Sequence, residues 1–354
     1  MFNYLVDLHR LRHNPYNGLY TFSCQLARHL LDQPLHDESF HYYLPKDKFG
    51  FFGSKPHYIT HKRSHKYFHT GTGKIDVWHL TTGISQYRPF NSRTKMVYTF
   101  HDVNFLVEDP GNTTRNSRSL RLMQKNADRA DHIVGISKYS LDFAARYLNF
   151  GDKPKSIIYN GYQVKEFPGF DEPAYKPSRP FLFSISLVQP RKNFHVLPAL
   201  LVGNDYELVI AGLKHFDYAK EIIAEAKKWN VEDRVKLVGA VNEPDKYWYY
   251  KNCEAFMFPS IAEGFGIPPL EAMHFGKPVF LSRLTSLPEI GGDAAYYFDD
   301  FDPEHMRSVL LSGLEDFVKN NRSVMIKAQA AKFDWDKTAH EYLEVYRSLV
   351  KVHV

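Results

Sequence analysis

Two acidic residues and two glycines lie close together near residue 265 of the chain. Glu263 comes directly before Gly264, Phe265 and Gly266, and Glu271 follows with seven residues between the two acids. Glycine permits positive φ and close backbone approach, so successive N–H groups in such a turn can point at an anion. Each carboxylate can accept hydrogen bonds from vicinal hydroxyls. The pattern predicts a site for a diphosphate and a sugar, although Glu271 can also simply stabilise a helix N-terminus.

A strand and a helix are expected to position this turn. Residues 255–258 are a short apolar run typical of a buried strand, and Pro268 suits the start of a helix. In open α/β sheets, ligands bind at the carboxyl ends of the strands, which is where this turn falls.

Arg191 and Lys192 form a second candidate feature, after an apolar run at 181–187. Positive charge at a helix start is mildly unfavourable, which indicates that an anion binds there, although a solvated helix start is the simpler alternative. A cationic pair can neutralise a departing diphosphate without a metal ion. We therefore predict a site with no metal and no cofactor.

The chain of 354 residues is long enough for two α/β domains. Short apolar runs alternate with helical patterns, which predicts doubly wound parallel sheets. We place an N-terminal domain at 1–165, a linker containing four prolines at 166–180 and a C-terminal domain at 181–336. A final amphipathic helix, within 337–354, can pack back on the N-terminal domain.

The segment around Glu263 resembles the E-x7-E motif of the retaining family-4 glycosyltransferases, which have the GT-B fold of two Rossmann-like domains facing a cleft. The resemblance covers nearly the whole chain. Further matching segments, in family order, are 99–102, 136–138, 159–161, 184–193, 208–212, 235–239, 286–289 and 333–335.

The resemblance implies a role for each matched residue. Glu263 would contact the hydroxyls of the donor sugar, Glu271 the ribose of the nucleotide, and the turn at 264–266 the diphosphate. Lys192, with Arg191, would neutralise the leaving diphosphate. The implied catalytic residues are Glu263, Lys192 and His101, and the implied donor is a nucleotide diphosphate sugar.

Two positions in the first half are also implied by the resemblance. His101 follows a β-rich strand and would line the cleft, although a lone histidine is more often structural. The family's glycine-rich turn after the first strand is reduced here to 14–18, so Gly18 alone is carried over. An arginine that many members carry near Ser186 is absent, which puts more weight on Arg191.

Charge is distributed unevenly along the chain. Residues 1–165 hold 23 Lys and Arg against 13 Asp and Glu, and the remainder holds 22 against 27. A basic first half favours a phosphorylated acceptor or peripheral contact with an anionic membrane. Nucleic acid is not expected, because no repeated basic-aromatic motif is present. With two cysteines and no apolar run typical of a membrane span or a signal peptide, we expect a cytoplasmic protein, peripheral on the inner face of the membrane.

Four histidines recur every fourth residue, at His57, His61, His65 and His69. On a helix they would form one stripe able to bind a metal ion or an anionic surface. Nearby Pro56 and the β-branched residues favour the simpler interpretation of a solvated basic face. Residues 247–250, all aromatic, are expected to form a packed helix face.

The family resemblance implies a retaining hexosyltransferase that moves a hexose, with mannose as a guess, to a glycan or lipid-linked acceptor in cell-surface polysaccharide or lipopolysaccharide synthesis. A nucleotide-sugar epimerase and a non-catalytic glycan-binding protein stay open as alternatives. A redox Rossmann enzyme is disfavoured, since no G-x-G-x-x-G follows either domain's first strand.

Overall fold

The computed structural model describes residues 2–12, 18–68, 73–213 and 216–351. The chain forms two compact units, one of residues 1–161 with 334–354 and one of residues 162–333. Each unit contains one parallel sheet covered by helices. The predicted α/β fold with two doubly wound sheets is therefore confirmed.

The first unit contains a seven-stranded parallel sheet in the order β3-β2-β1-β4-β5-β6-β7. Its strands are β1 (Phe2–Asp7), β2 (Glu38–Leu44), β3 (His57–Thr60), β4 (Val77–Leu80), β5 (Lys95–Phe100), β6 (His132–Gly135) and β7 (Lys155–Ile157). The central strands consist almost entirely of buried residues, as expected for a sheet covered on both faces.

The α-helices in the described residues of the first unit are α1 (Gly18–Asp32), α2 (Phe105–Glu108), α3 (Thr113–Arg129), α4 (Lys138–Ala144) and, after the second unit, α11 (Trp335–Lys351). Helix α11 is tied to the sheet by a buried network around His79. Its Tyr346 hydroxyl lies 2.6 Å from His79 Nδ1, and Thr99 Oγ1 lies 2.7 Å from His79 Nε2. Tyr342 of the same helix bonds Thr99 at 2.9 Å.

The second unit contains a six-stranded parallel sheet in the order β10-β9-β8-β11-β12-β13. Its strands are β8 (Phe181–Ile185), β9 (Glu207–Ala211), β10 (Val235–Gly239), β11 (Ala255–Phe258), β12 (Val279–Ser282) and β13 (Tyr296–Phe298). Its helices are α5 (Phe216–Lys228), α6 (Glu243–Asn252), α7 (Ile267–His274), α8 (Leu287–Gly291), α9 (Pro303–Lys319) and α10 (Ser323–Ala330).

The proline-containing segment 166–180 is part of the second unit. Asp171 accepts a hydrogen bond from Trp248 Nε1 at 2.9 Å, and Tyr249 donates to the carbonyl of Tyr175 at 2.7 Å. The carboxylate of Glu207 accepts hydrogen bonds from the backbone of Ser178 and from the hydroxyl of Tyr175. These bonds fix the segment against α6 and β9.

One strand was not predicted from the sequence: β3 occupies the start of the histidine repeat. Over the described part of the chain, no helix is long and apolar enough to cross a bilayer.

Candidate functional site

The order of strands in the second unit defines where a ligand can bind. Strand β8 lies at the point where the strand order reverses, with β9 on one side and β11 on the other. In doubly wound sheets, ligands usually bind beside the loops that leave the carboxyl ends of the two strands at such a point, here β8 and β11. The loop after β8 carries Arg191 and Lys192, and the loop after β11 carries Glu263.

A cluster of four residues joins these two loops: Arg191, Lys192, Ser260 and Glu263, called here the Glu263 cluster. Lys192 Nζ pairs with Glu263 Oε1, and Arg191 Nη1 lies 3.4 Å from Glu263 Oε2. Ser260 Oγ donates to Glu263 Oε1 at 2.7 Å. Lys192 and Glu263 are buried, with 4% and 8% of their surface exposed. The structure therefore brings the predicted acid and the predicted cations into direct contact.

The charges of this cluster keep Glu263 ionised. Burial alone raises the pKa of Glu263, but Lys192 and then Arg191 outweigh it, so that the pKa lies below its ordinary value. The Lys192 ammonium also lies 4.9 Å from the centre of the Phe258 ring. The cluster thus places a buried anion and a buried cation at the carboxyl end of the sheet, where burial limits screening by water.

Arg191 also braces the loop after β11. Its Nη1 donates to the carbonyl of Ala262 at 2.8 Å, and its own carbonyl accepts from the backbone of Ile261 at 2.9 Å. These contacts fix the backbone next to Glu263. Arg191 therefore has a structural role in addition to the phosphate role that was expected.

The turn after Glu263 differs in one respect from the expectation. Gly266 has φ 126°, a backbone conformation that favours glycine, but Gly264 does not adopt a positive φ. The backbone conformation therefore calls for glycine only at position 266. A side chain at Gly266 would also approach Leu287. Ser286 Oγ donates to the carbonyl of Phe265 at 2.6 Å, which fixes the turn ahead of α7.

Glu271 lies in a separate group, called here the Glu271 cluster, with Lys246 and Tyr250. Lys246 Nζ lies 3.0 Å from Glu271 Oε1, and the Tyr250 hydroxyl donates to Oε2 at 2.8 Å. Only 8% of the surface of Glu271 is exposed. The aromatic run at 247–250 is buried as predicted, and it also supplies this hydrogen-bond donor.

His101 and Gly18 belong to the first unit. His101 follows β5, and its Nε2–H donates to the carbonyl of Thr81 at 2.8 Å, which makes Nδ1 the acceptor nitrogen. Burial, only partly offset by the Thr81 bond, lowers the pKa of His101 to about 4, so the ring is neutral. Gly18 begins α1 with open space around its Cα, and residues 14–17 lie outside the described residues.

The histidine repeat is not a helical stripe, and the expectation of a solvated basic face is wrong for two of its members. His57 is exposed on the edge strand β3, but His65 is buried and its Nδ1 lies 3.0 Å from the Tyr43 hydroxyl. His61 packs edge-on against Tyr87 at 4.4 Å. Burial lowers the pKa of His61 to about 4. His69 lies outside the described residues.

The described residues contain no group of three or more His, Cys, Asp or Glu side chains placed to hold a metal ion. The sequence contains two Asp-x-Asp triplets, at 300–302 and 334–336, and both stand at helix starts. Asp302 accepts from the backbone of Glu304 and His305 at the start of α9, and Asp334 accepts from Lys337 in α11.

Three residues of these clusters were missed by sequence reasoning: Lys246, Tyr250 and Ser260. Ser286 was also not recognised as the donor that fixes the turn. Ser260 stands three residues before Glu263 and has the appearance of an ordinary loop serine. A general rule could have pointed to such residues: a buried carboxylate requires hydrogen-bond donors or cations from nearby segments.

The fold defined by these two parallel sheets is the GT-B fold. Sucrose-phosphate synthase from Thermosynechococcus elongatus superposes with a TM-score of 0.76 at 16% identity, covering 99% of this chain and 100% of that one. Anabaena Alr3699/HepE, solved in complex with UDP-glucose, gives 0.71 at 18% identity, with 98% and 100% covered.

Residues 170–332 match the family model of the glycosyl transferases group 1. This match lies within the second unit. The serotype-specific mannosyltransferase WbdA of Escherichia coli is 30% identical over 246 residues, which cover 63% of this chain and 29% of WbdA. The O-antigen chain mannosyltransferase B of E. coli is 25% identical over 273 residues, with 72% and 71% covered. The chain thus aligns with less than a third of the length of the first of these relatives.

Proposed function

We propose that this protein is a retaining glycosyltransferase that moves a hexose, mannose, from a nucleoside diphosphate sugar to a hydroxyl of a glycan or lipid-linked acceptor in cell-surface polysaccharide synthesis. The observation that carries the proposal is the buried contact of Lys192 and Glu263 at the reversal point of the second sheet. The names of the relatives support mannose and O-antigen, and the UDP-glucose complex of a structural neighbour supports the donor class.

The chemistry follows from the charges of the Glu263 cluster. In the transfer, the bond between the anomeric carbon and the diphosphate oxygen breaks, the acceptor hydroxyl bonds to that carbon, and its proton passes to the leaving phosphate. Negative charge grows on the diphosphate as it leaves, and Lys192 and Arg191 are placed to stabilise that charge. Glu263 accepts hydrogen bonds from the sugar hydroxyls and positions the ring.

The donor is tested by a thermal-shift screen with GDP-mannose, UDP-glucose and ADP-glucose, because a ligand of the folded state raises the melting temperature according to its affinity. The donor that binds is then supplied with lipid-linked oligosaccharide, and the product is analysed for the retained anomeric configuration. Conversion of the donor without an acceptor would identify an epimerase instead. Binding without turnover would identify a sugar-binding protein.

We propose that no metal ion takes part in the transfer, since Lys192 and Arg191 supply the positive charge that a metal ion would otherwise bring to the diphosphate. The rate in excess EDTA is expected to equal the rate with added Mg²⁺ or Mn²⁺. Loss of turnover in EDTA that added metal restores would refute this part of the mechanism.

Replacing Lys192 by Met is expected to weaken binding of the nucleoside diphosphate by about 1–3 kcal/mol, the scale of a lost charged hydrogen bond. Methionine keeps the aliphatic contact with Phe258 but removes the charge. Calorimetry with GDP, UDP and ADP measures the change, and Lys319→Met, on the exposed end of α9, is the control. Equal affinity of the Lys192 variant and the wild type for the nucleoside diphosphate would show that Lys192 does not contribute to diphosphate binding.

The first unit is proposed to contact an anionic membrane on its cytoplasmic side. Lys62 and Arg63 are exposed and come four to six residues before Tyr67 and Phe68 in the chain, which are 79% and 56% exposed. Aromatic side chains favour the membrane–water interface, and each nearby basic residue contributes about 1 kcal/mol at an anionic surface. These neighbours form a surface suited to anionic lipid headgroups.

Binding is expected to phosphatidylcholine vesicles that contain phosphatidylglycerol, and not to phosphatidylcholine alone. Lys62→Ala with Arg63→Ala should weaken sedimentation with the anionic vesicles by about 2 kcal/mol, roughly thirtyfold. Lys220→Ala with Lys228→Ala, on α5 of the second unit, is the control. Undiminished binding of the first double variant would place any membrane contact elsewhere.

A further inference from the structure

The Glu271 cluster contains a cation that the proposed transfer mechanism does not use. Lys246 of α6 lies 3.0 Å from Glu271 Oε1 and 3.3 Å from Glu243 Oε2. Its side chain is largely buried, with 18% of its surface exposed, so it is shielded but can be reached by a ligand. Burial lowers the pKa of Lys246, but Glu271 and Glu243 outweigh burial and raise the pKa overall, so the ammonium stays charged.

Lys246 and Glu271 can each form a further hydrogen bond. Two donors meet Glu271, one on each oxygen, and this fixes the plane of the carboxylate. A carboxylate offers about four lone-pair sites, and an ammonium offers three N–H donors, of which two here face Glu271 and Glu243. Glu271 can therefore accept a further hydrogen bond, and Lys246 can donate one.

A hydroxyl is the group that this pair is suited to bind. Its O–H donates and its oxygen accepts, whereas a carboxylate alone satisfies only the donating half. An adjacent ammonium satisfies the other half, and in a buried site both bonds are stronger than in water. A ligand without that hydroxyl would lose both bonds, while Lys246 and Glu271 would keep only the bonds to each other, to Glu243 and to Tyr250.

We propose that Lys246 and Glu271 together bind one ribose hydroxyl of the nucleotide, with Glu271 accepting from the O–H and Lys246 donating to its oxygen. The inference rests on the proposed function and on the family resemblance, which implies that Glu271 contacts the ribose. It adds Lys246 as a residue that makes the site specific for ribonucleotides over deoxyribonucleotides. A purely structural Lys246 would neutralise Glu271 without affecting that preference.

The test compares affinities for ribose and deoxyribose forms of one nucleotide. Calorimetry is performed with GDP, UDP and ADP, each beside its 2′-deoxy and 3′-deoxy counterpart. The wild type is expected to prefer the ribose form over one of the deoxy forms by about tenfold to a hundredfold. Lys246→Met should reduce that ratio to within about threefold, because the hydroxyl oxygen loses its donor.

Lys251→Met provides the matched control, since Lys251 lies on the same helix, is exposed and bonds Tyr247. It should keep the wild-type ratio. Lys246→Gln, which keeps much of the length of the side chain without its charge, replaces the methionine variant if that variant does not fold. The ratio, not the absolute affinity, is the measured quantity, so a general loss of stability does not imitate the expected result.

Three outcomes would overturn the inference, and they separate it from the proposed function. A folded Lys246 variant with the wild-type ratio removes Lys246 from ribose recognition. A wild type that binds a nucleotide without preferring its ribose form also refutes the inference, while leaving the transferase proposal in place. A wild type that binds none of the nucleotides refutes both.

Discussion

Replacing Glu263 by Gln should lower the rate of sugar transfer on the order of a hundredfold to a thousandfold, the range seen when one preorganised electrostatic contact is removed from an active site. The amide keeps the shape of the side chain but removes the charge that faces Lys192. The sugar hydroxyls then lose a charged acceptor, and the ammonium that should stabilise the diphosphate loses the anion that holds it in place.

The measurement is steady-state transfer from the donor identified by the thermal-shift screen, with Glu315→Gln on the exposed face of α9 as the control. The loss is expected in kcat more than in KM, because positioning of the sugar matters most in the transition state. Turnover of the Glu263→Gln variant within about threefold of the wild type would refute the catalytic role assigned to Glu263.

Alanine is a poorer substitution than glutamine for testing the role of Glu263 in catalysis. A residue on a turn usually tolerates truncation, but Glu263 is 8% exposed and pairs with a buried lysine. Removing one partner of a buried ion pair costs about 3–5 kcal/mol, because the other charge is left uncompensated. Glu263→Ala should therefore lower stability as well as activity, and a combined Lys192→Met change should recover part of that stability.

Three residues of the Glu263 cluster, Arg191, Lys192 and Glu263, were predictable from the sequence for a simple reason. Glycines, prolines and acids coincide in one strand-to-helix junction, and a cationic pair follows the first strand of the same sheet. Because the carboxyl ends of neighbouring parallel strands lie side by side, such residues are brought together by topology alone. The structure adds the direct contact of Lys192 with Glu263, which no sequence pattern specifies.

The other contacts depend on packing between segments that are distant in sequence. Lys246 lies on an aromatic helix, and Glu271 follows 25 residues later, so their pairing becomes apparent only when α6 and α7 are adjacent. Strand β3 is short, lies at the edge of its sheet and carries the first histidine of the repeat. A period of four residues is compatible with a helix, and Pro56 and the β-branched residues argued against one, but no pattern specified the pairing with β2 that forms the strand.

Acid should destabilise the first unit steeply between pH 6.5 and pH 4.5, because two of its buried histidines are held neutral. Burial lowers the pKa of His79 to about 3 and that of His101 to about 4, against an ordinary value of 6.5. Below pH 6.5 the unfolded chain binds a proton at each ring while the folded chain does not. The free energy of unfolding therefore falls as pH falls, by about 1.4 kcal/mol per pH unit for each histidine.

The surroundings explain why neither ring accepts the proton in the folded state. His79 is enclosed by Thr99 of β5 and by Tyr342 and Tyr346 of α11, and His101 by Thr81 and Phe22. None of these groups carries a negative charge that could pair with an imidazolium. Over two pH units the two rings together account for about 5 kcal/mol, a large share of the stability of a typical domain.

Hydrogen–deuterium exchange at pH 7.5, 6.5, 5.5 and 4.5, corrected for the intrinsic rate, is suited to this measurement because it follows each unit separately. Peptides that contain β4, β5 and α11 should lose protection as the pH falls. His79→Gln should lower protection at pH 7.5 but flatten its dependence on pH, while His36→Gln at an exposed position should leave the dependence unchanged. Constant protection of β4 and β5 down to pH 4.5 would show that these histidines do not control the acid stability of the first unit.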